Sequence, residues 1–321
     1  MSLTDVLLFS PMPKMVEDGL DARFTVHRLW TMDDPDGFLA SSAGTIRAIA
    51  IAGHNPIDKA VIDRFPNLEI IGNFGVGYDS IDATYAAERR VIVTNTPDVL
   101  TDEVADTALG LTLMTVREMG AAERYLRNGQ WLNGAYPLTV GTLSGATMGI
   151  VGLGRIGKAI ASRAESFGVK IAYHGRRPQE GVDYPYYDTV AGLAEAVDIL
   201  MVVVPGTDAT RHLIDTEVLQ ALGPNGVLIN IGRGSVVDET ALVEALRDGT
   251  IRSAGLDVFE NEPQVPDELV AMDHVVLLPH VGSASIHTRN RMGQLVVDNL
   301  VSWFETGKPV TPVPESASLV A

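Results

Sequence analysis

The chain has 321 residues and contains no cysteine. A disulfide framework and thiol-based catalysis are therefore excluded. Long apolar runs are also missing, since the longest one, near residues 109–116, is interrupted by threonine and is too short to span a bilayer. Residues 1–5 carry no basic stretch, so we expect no signal peptide and a cytoplasmic location.

Positive charge is scarce, with 24 lysines and arginines against 41 aspartates and glutamates, which gives a net charge of −17 at pH 7. Such a surface repels nucleic acid and anionic lipid, so we expect neither as a partner. The acidity by itself is most simply explained by solubility. It also repels anionic ligands from most of the surface, which makes any local cluster of arginines more informative.

Short apolar runs typical of strands alternate with helical stretches along the chain, and this alternation predicts an α/β fold. Two doubly wound parallel-sheet domains are the natural arrangement. We expect residues 1–99 and 285–321 to form one domain and residues 100–284 the other. Long helices predicted over 102–128 and 285–305 would connect the two.

A glycine-rich loop lies between a predicted strand that ends at Val151 and a predicted helix over 158–167. Its pattern, G-x-G-x-x-G, is weak alone and strong in this strand–helix context, where it indicates a dinucleotide-binding loop. Gly152 permits the tight turn, Gly154 lets the backbone approach a diphosphate, and Gly157 lets the helix pack on the strand. A tight turn without a ligand is the less favoured alternative. The predicted cofactor-binding residues of this loop are Gly152, Leu153, Gly154, Arg155, Ile156 and Gly157.

The end of the next predicted strand, 169–174, indicates which dinucleotide binds. NAD-specific sites usually carry an acidic residue there, about twenty positions after the glycine loop. This chain has Arg176 and Arg177 instead, and paired guanidinium groups suit a ribose 2′-phosphate. Two ordinary solvated charges are the alternative. We expect NADP to be the cofactor, with NAD less favoured.

Three polar residues follow three predicted strands in the last third of the chain: Arg233, Glu262 and His280. Carboxyl ends of parallel strands lie on one edge of a sheet, so these side chains are expected to meet there. Singly, each has a simpler explanation as a loop charge or a core histidine. Together, downstream of a nucleotide-binding loop, they can hold a carboxylate and deliver a proton.

These stretches resemble the D-isomer-specific 2-hydroxyacid dehydrogenase family over essentially the full length of the chain. Within the family, the chain is most similar to glyoxylate/hydroxypyruvate reductases and plant-type hydroxyphenylpyruvate reductases, which commonly prefer NADP. The matching stretches are residues 74–79 (FGVGYD), 93–101 (VTNTPDVLT), 151–157 (VGLGRIG), 230–234 (NIGRG), 255–263 (GLDVFENEP) and 278–282 (LPHVG).

The resemblance implies a role for each site residue. His280 would be the general acid/base, Glu262 its partner, and Arg233 would hold the carboxylate and carbonyl oxygen of a 2-keto acid. The backbone amides of Val76 and Gly77 would bind the same carboxylate. The resemblance also implies a homodimer, with a flavodoxin-like substrate-binding domain (1–99 and 285–321) and a Rossmann domain that binds NADP (100–284). We expect no metal. Further positions that it assigns to cofactor binding are Val204, Pro205, Ile231, Asp257 and Gly282.

The expected function is NADPH-dependent reduction of a 2-keto acid to the D-2-hydroxy acid. Glyoxylate, hydroxypyruvate and larger aryl-pyruvates all stay open as substrates. An NAD-linked relative such as a phosphoglycerate or formate dehydrogenase is an alternative, opposed by the missing acidic residue and by Pro279 before His280. A dinucleotide-sensing corepressor on the same fold is the non-enzymatic alternative.

Overall fold

The computed structural model describes residues 3–53 and 55–320. Within them the chain divides into two compact units at Leu100/Thr101 and Ala284/Ser285. We call the part up to Leu100 together with the part from Ser285 onward the first unit, and Thr101–Ala284 the second unit. The assignment of substrate binding to one and cofactor binding to the other stays a prediction. No helix in the described ranges is both long enough and apolar enough to cross a membrane.

Strands and helices alternate through both units, as the pattern of apolar runs predicts. The strands are β1 (Asp5–Leu8), β2 (Thr25–Arg28), β3 (Ile46–Ile51), β4 (Ile70–Asn73), β5 (Ile92–Thr94), β6 (Thr147–Val151), β7 (Lys170–His174), β8 (Tyr186–Tyr187), β9 (Ile199–Val202), β10 (Val227–Asn230), β11 (Ser253–Leu256) and β12 (Val276–Leu277). The α-helices are α1 (Lys14–Asp21), α2 (Pro35–Ser42), α3 (Lys59–Asp63), α4 (Ala83–Glu88), α5 (Thr101–Val116), α6 (Met119–Arg127), α7 (Arg155–Glu165), α8 (Val190–Glu195), α9 (Thr216–Leu222), α10 (Glu239–Arg247), α11 (Asp267–Ala271) and α12 (Ile286–Thr306).

The first unit contains a parallel sheet that, over the described residues, has five strands in the order β2-β1-β3-β4-β5. This is the flavodoxin-like order, as predicted. Its inner strands are mostly apolar and buried, whereas the edge strand β2 (TVHR) has no fully buried residue. Ile49 and Ile71, for example, are fully buried and lie in one core cluster with Phe65.

The second unit contains a parallel sheet whose seven strands, counted over the described residues, run β12-β11-β10-β9-β6-β7-β8. Strands β7 and β8 are added on one side of β6, and β9 to β12 on its other side, so the direction of strand addition reverses between β6 and β9, as in Rossmann folds. Ligands of such sheets bind at this reversal, beyond the carboxyl ends of the strands. Strand β9 is buried along its whole length, in agreement with its uninterrupted apolar sequence. The predicted fold class is therefore confirmed for both units.

The prediction of one continuous helix over 102–128 is wrong. Two helices, α5 and α6, occupy this segment, and Glu118 between them has a φ of +52°, in the left-handed region. The chain returns against this break: Arg117 Nε donates to Thr139 Oγ1 (3.2 Å), and Tyr136 Oη donates to the Glu118 carboxylate (3.1 Å). These long-range contacts stabilise the break, and helical periodicity cannot reveal them.

The prediction of a closing helix over 285–305 is confirmed by α12. Ser285 caps its start, since its Oγ accepts a hydrogen bond from the Thr288 N–H (3.1 Å). The helix ends at Gly307, whose φ of +72° suits a glycine. Leu300 of this helix is fully buried, and a Cβ on Gly72 of β4 would lie only 2.6 Å from Leu300 Cδ1. Helix and strand therefore pack closely only because residue 72 has no side chain.

Candidate active site

The glycine loop joins β6 to α7 at the point where the strand order of the second unit reverses. Two of its glycines are required by packing within the protein. Gly152 has a φ of +101°, and a Cβ there would lie 2.6 Å from Val204 Cγ1. A Cβ on Gly157 would lie 2.3 Å from the carbonyl oxygen of Gly152. Neither position can hold a larger residue without moving the backbone.

Gly154 differs from its two neighbours. Its φ of −80° is available to any residue, and no described atom beyond its chain neighbours lies within 4 Å of a Cβ placed there. Neither backbone conformation nor internal packing therefore requires glycine at this position. Gly154 is also the residue that precedes α7, where backbone N–H groups attract an anion. The open space at Gly154 would let a dinucleotide diphosphate come close to the backbone.

The loop that follows β7, residues 175–180, lines a pocket of about 930 Å³. Three hydrogen bonds hold this loop: Tyr186 Oη donates to the Gly175 carbonyl (3.2 Å), the Gln179 N–H donates to Tyr173 Oη (2.8 Å), and Gln179 Nε2 donates to the Leu153 carbonyl (2.7 Å). The last bond joins the loop directly to the glycine loop. The two segments that would hold the diphosphate and the 2′-phosphate are thus fixed to each other.

Arg176 and Arg177 are exposed on this loop. Neither forms an ion pair with any residue that the structure describes, although carboxylates outnumber basic groups in this chain. Two guanidinium groups therefore face solvent beside the glycine loop. They are available to bind a phosphate monoester by charge-assisted hydrogen bonds.

His280 and Glu262 lie together at the carboxyl edge of the same sheet. His280 Nδ1 is 2.8 Å from Glu262 Oε2, and the other carboxylate oxygen accepts a hydrogen bond from the Phe259 N–H (3.0 Å). The Glu262 side chain is 17% exposed and that of His280 36%. The carboxylate is thus held by the backbone, and it holds the imidazole ring in one orientation.

The loop that carries His280 is held by hydrogen bonds to Asp257, the residue that follows β11. The main chain of His280 has a φ of +52°, an uncommon value for a residue with a side chain. Its N–H donates to the Asp257 carbonyl (2.9 Å), while the N–H groups of Val281 and Gly282 donate to the two carboxylate oxygens (2.7 and 2.8 Å). Asp257 is 1% exposed, and this burial raises the pKa of its carboxyl group even though the two amides counteract it.

Arg233 follows β10, the strand between β9 and β11 in the sheet. Asn230 fixes its turn: the Asn230 Nδ2 donates to the Arg233 carbonyl (2.9 Å), and its Oδ1 accepts from the Gly232 N–H (3.1 Å). A Cβ on Gly234 would lie 1.8 Å from the carbonyl carbon of Phe259. The Arg233 turn therefore packs against the segment that leads to Glu262.

The other residues predicted to bind the cofactor surround this edge of the sheet. Val204, next to Pro205, packs on Gly152, and its carbonyl oxygen would lie 2.7 Å from a Cβ on Gly232. Gly282 lies against Asp257 and near Ile231, whose Cδ1 would be 3.6 Å from a Cβ there. Asp257 uses both carboxylate oxygens on the His280 loop, so its predicted contact with the cofactor stays a prediction. The roles of these residues likewise stay predictions.

Val76 and Gly77 lie in the first unit, in the loop after β4, and both are partly accessible to solvent. Among the described residues, neither N–H donates a hydrogen bond to another part of the chain. Partly accessible backbone amides of this kind can bind an anion. The predicted contact between these amides and a substrate carboxylate is compatible with this geometry and stays a prediction.

Comparison with known proteins agrees with this geometry. The sequence profile of the family described as "D-isomer specific 2-hydroxyacid dehydrogenase, NAD binding domain" matches residues 109–282. Glyoxylate/hydroxypyruvate reductase A of Arabidopsis thaliana is 47% identical over 308 residues, which cover 96% of this chain and 98% of that protein. Hydroxyphenylpyruvate reductase of Plectranthus scutellarioides is 48% identical over 314 residues, or 98% of this chain and 100% of that protein.

A solved structure is similar over the whole chain. An NADPH-dependent glyoxylate/hydroxypyruvate reductase from Sinorhizobium meliloti, in complex with NADP and malonate, is 51% identical. It superposes with a TM-score of 0.92 and covers 98% of both chains. This chain belongs to the D-isomer-specific 2-hydroxyacid dehydrogenase family. The family, the enzyme class and the fold predicted from the sequence are all confirmed.

The side chains that hold the loops of the predicted site were not predicted from the sequence. Asn230 fixes the Arg233 turn, and Gln179 with Tyr173 fixes the Arg176–Arg177 loop. A polar carboxamide at the end of an otherwise apolar strand could have revealed Asn230. Gln179 carries no comparable signal, because it lies in a polar loop and its partner Leu153 is distant in sequence.

Glu239, at the start of α10, is a further residue that sequence reasoning overlooked. It is 9% exposed, and its Oε1 accepts a hydrogen bond from the Glu260 N–H (2.8 Å). Burial raises the pKa of Glu239, and the negative charges of Glu260 and Glu262 add to the effect. The carboxylate that pairs with His280 thus has a second, buried carboxyl group as a neighbour.

Replacing this buried group, Glu239→Gln, is expected to raise the free energy of unfolding at neutral pH. A carboxyl whose pKa is higher in the folded state stabilises the fold below its unfolded pKa and loses that contribution as the pH rises through the folded value. Glutamine cannot ionise, so the advantage of the variant should vanish as the pH falls below about 4.3, the ordinary glutamate value. Urea unfolding at several pH values measures this difference.

Glu244→Gln provides the control, because Glu244 is exposed on the same helix. That variant should follow the parent protein at every pH. A stability gain in Glu239→Gln that does not depend on pH would contradict the assignment of a buried, costly carboxylate.

Proposed function

We propose that this protein reduces a 2-keto acid to the D-2-hydroxy acid with NADPH as the hydride donor. The main support is the 2.8 Å pairing of His280 with Glu262 at the sheet edge that also carries Arg233 and the glycine loop. Relatives that cover nearly the whole chain are glyoxylate/hydroxypyruvate and hydroxyphenylpyruvate reductases. Glyoxylate and hydroxypyruvate are therefore the first substrates to test.

His280 supplies the proton in this reaction. Reduction adds a hydride to the carbonyl carbon and a proton to the carbonyl oxygen, and the reduced nicotinamide, when bound, is the source of the hydride. Glu262 engages Nδ1, so the proton would leave from Nε2 of the ring. The carboxylate also fixes the orientation of the ring, so that Nε2 is the nitrogen left to face the substrate. In the reverse direction the same nitrogen accepts the proton of the hydroxyl group.

Arg233 would bind the acid's carboxylate and polarise its carbonyl oxygen. A guanidinium group stays protonated at all working pH values and offers several donors in one plane, which suits both tasks. The amides of Val76 and Gly77 would contribute further donors to the carboxylate. A plain ketone lacks the carboxylate, so we infer that it would be a poor substrate.

The preference for NADPH follows from the loop after β7. Arg176 and Arg177 stand where NAD-specific sites place a carboxylate, and the loop that carries them is hydrogen-bonded to the glycine loop through Gln179. The structure from Sinorhizobium meliloti, 51% identical to this chain, was determined with NADP. Both observations favour the 2′-phosphorylated cofactor.

We further propose that the protein is a homodimer. Segment 119–140 exposes several large apolar side chains, and two of them, Leu132 and Leu138, are more than nine-tenths exposed. A surface of this kind is typical of an interface. The exposed apolar residues of the segment are Met119, Leu126, Trp131, Leu132, Leu138 and Val140. Sedimentation velocity should report about twice the mass of one chain, and a monomer would contradict the proposal.

The cytoplasmic location stays a prediction.

The function is tested by turnover of a panel of 2-keto acids with NADPH and NADH under one set of conditions. Glyoxylate and hydroxypyruvate should be reduced with NADPH, and chiral products should be the D-isomers. His280→Ala should lower kcat by roughly 10²- to 10⁴-fold, the loss usual for a general acid, with little change in NADPH affinity. The absence of turnover with every keto acid would favour a dinucleotide sensor instead.

Glu262→Gln is expected to move the alkaline limb of the pH–rate profile for reduction to lower pH. Glutamine can still accept the hydrogen bond from Nδ1, but it carries no charge to stabilise the imidazolium, so the acid form is lost earlier as the pH rises. Steady-state rates between about pH 5 and pH 10 measure the limb. Glu268→Gln, at an exposed position on α11, is the control and should keep the parent profile. An unchanged profile in Glu262→Gln would remove Glu262 from the mechanism.

The double variant Arg176→Ala/Arg177→Ala is expected to weaken NADPH binding at least about tenfold while NADH binding changes little. Each charge-assisted hydrogen bond contributes roughly 1.5–3 kcal/mol, and about 1.4 kcal/mol corresponds to a factor of ten. Fluorescence titration with each cofactor measures the two affinities. Arg89→Ala/Arg90→Ala is a matched control, since it removes two adjacent arginines from the first unit. Retention of the NADPH preference would rule out the 2′-phosphate assignment.

A further inference from the structure

The loop after β4 is held by two asparagine side chains. Asn73 is the last residue of β4 and is 3% exposed, and Asn95 directly follows β5, the neighbouring strand. The register pairs Gly72 with Thr94, so the two asparagines stand side by side one step further along. Both carboxamides are therefore at the carboxyl edge of the sheet, directly under the loop.

These two side chains bind three consecutive carbonyl oxygens of the loop. Asn73 Nδ2 donates to the carbonyls of Gly75 (3.1 Å) and Gly77 (2.8 Å), and Asn95 Nδ2 donates to that of Val76 (2.8 Å). The Thr96 N–H also donates to Gly75 (2.9 Å). Each of the three carbonyls thus has a defined direction.

The direction of a carbonyl determines that of the next amide. The peptide bonds here are trans and planar, so the N–H of residue i+1 points opposite to the C=O of residue i. The bond from Asn73 to the Gly75 carbonyl therefore turns the Val76 N–H away from Asn73. In the same way, the bond from Asn95 to the Val76 carbonyl turns the Gly77 N–H away from Asn95.

Asn95 is itself anchored. Its backbone carbonyl accepts a hydrogen bond from Thr311 Oγ1 (2.6 Å), and its N–H donates to the Thr311 carbonyl (3.3 Å). A mobile carboxamide could not hold a loop, whereas Asn95 is fixed at its main chain and Asn73 is buried in the sheet. The orientation of the two amides is thus determined before any ligand arrives.

We propose that Asn73 and Asn95 are positioning residues for substrate binding, which preorganise the amides of Val76 and Gly77 to receive the carboxylate of a 2-keto acid. This inference rests on the proposed function, since it assumes that these amides bind the acid. Preorganised donors bind an anion more tightly than donors that must be ordered on binding. The two asparagines act through the loop and do not touch the substrate.

The test is Asn73→Asp, which keeps the shape of the side chain but removes the donors and sets a carboxylate against two carbonyl oxygens. KM for hydroxypyruvate and glyoxylate is expected to rise at least about tenfold, and more than kcat falls, as for one weakened charge-assisted hydrogen bond. The affinity for oxalate, measured by calorimetry with NADP present, should fall by a similar factor. NADPH affinity should stay at the parent value, since the cofactor loop lies in the second unit.

Asn95→Ala is the second variant, because Asn95 is only partly buried and donates to a single carbonyl. It should raise KM and weaken oxalate binding in the same direction, and it decides the question if Asn73→Asp does not fold. Asn67→Asp is the control: its Nδ2 also donates to a carbonyl, that of Gly44, in the same unit. Thermal unfolding of each variant separates a loss of stability from a loss of acid binding.

The outcomes distinguish this inference from the proposed function. If the parent reduces keto acids and both folded variants keep its KM and its oxalate affinity, the positioning role is overturned and the function stands. If the parent turns over no keto acid, the function fails, and oxalate binding by parent and variants still decides the role of the asparagines. A parent that binds no oxalate overturns the inference.

Discussion

Parallel pairing of the strands is the constraint on which the rest of this structure depends. Because both sheets are parallel throughout the described strands, all strands of a sheet end on the same edge. The glycine loop, Arg233, Glu262 and His280 are far apart in sequence, yet each follows a strand of the second unit and so reaches one edge. The same rule places the Val76–Gly77 loop at the carboxyl edge of the first unit.

The turns that follow the strands of both sheets are held in the same way. Buried polar side chains at or just beyond the strand ends bind the backbone of the next turn: Asn73 at the end of β4, Asn230 at the end of β10 and Asp257 after β11. A turn at a sheet edge leaves the ladder, so its carbonyl and amide groups need other partners. Side chains that supply those partners also set the direction of the groups that would face a ligand. Stability of the turn and geometry of the site thus depend on the same hydrogen bonds.

Positively charged side chains are outnumbered by negatively charged ones in this chain, so a local cluster of arginines is distinctive. The chain carries −17 overall, and its acidic residues extend to the neighbourhood of His280, where Glu239 lies beside Glu260 and Glu262. Burial and this negative charge both disfavour ionisation of Glu239. Arg176 and Arg177 oppose this field at one place, beside the glycine loop. The proposed cofactor, itself an anion, would meet positive charge at this place.

The sequence by itself determined the class of fold, the family, the position of the glycine loop and the placement of Arg233, Glu262 and His280 at the end of strands. Each of these depends on local pattern: apolar runs of strand length, glycine spacing, and polar residues a few positions after a strand. Pattern failed at Glu118, where contacts with residues about twenty positions away divide one predicted helix into two. It also missed Asn73 and Asn95, although Asn73, like Asn230, is a carboxamide at the end of an otherwise apolar strand.

Only the tertiary structure decided which side chains hold which turns. The bonds from Asn95 to Val76, from Gly282 to Asp257 and from Gln179 to Leu153 join residues that are 19, 25 and 26 positions apart. No periodicity links such positions, because the partners are brought together by strand order and register rather than by spacing along the chain. Local sequence therefore determines which chemical groups are present, and the assembled sheets determine where those groups point.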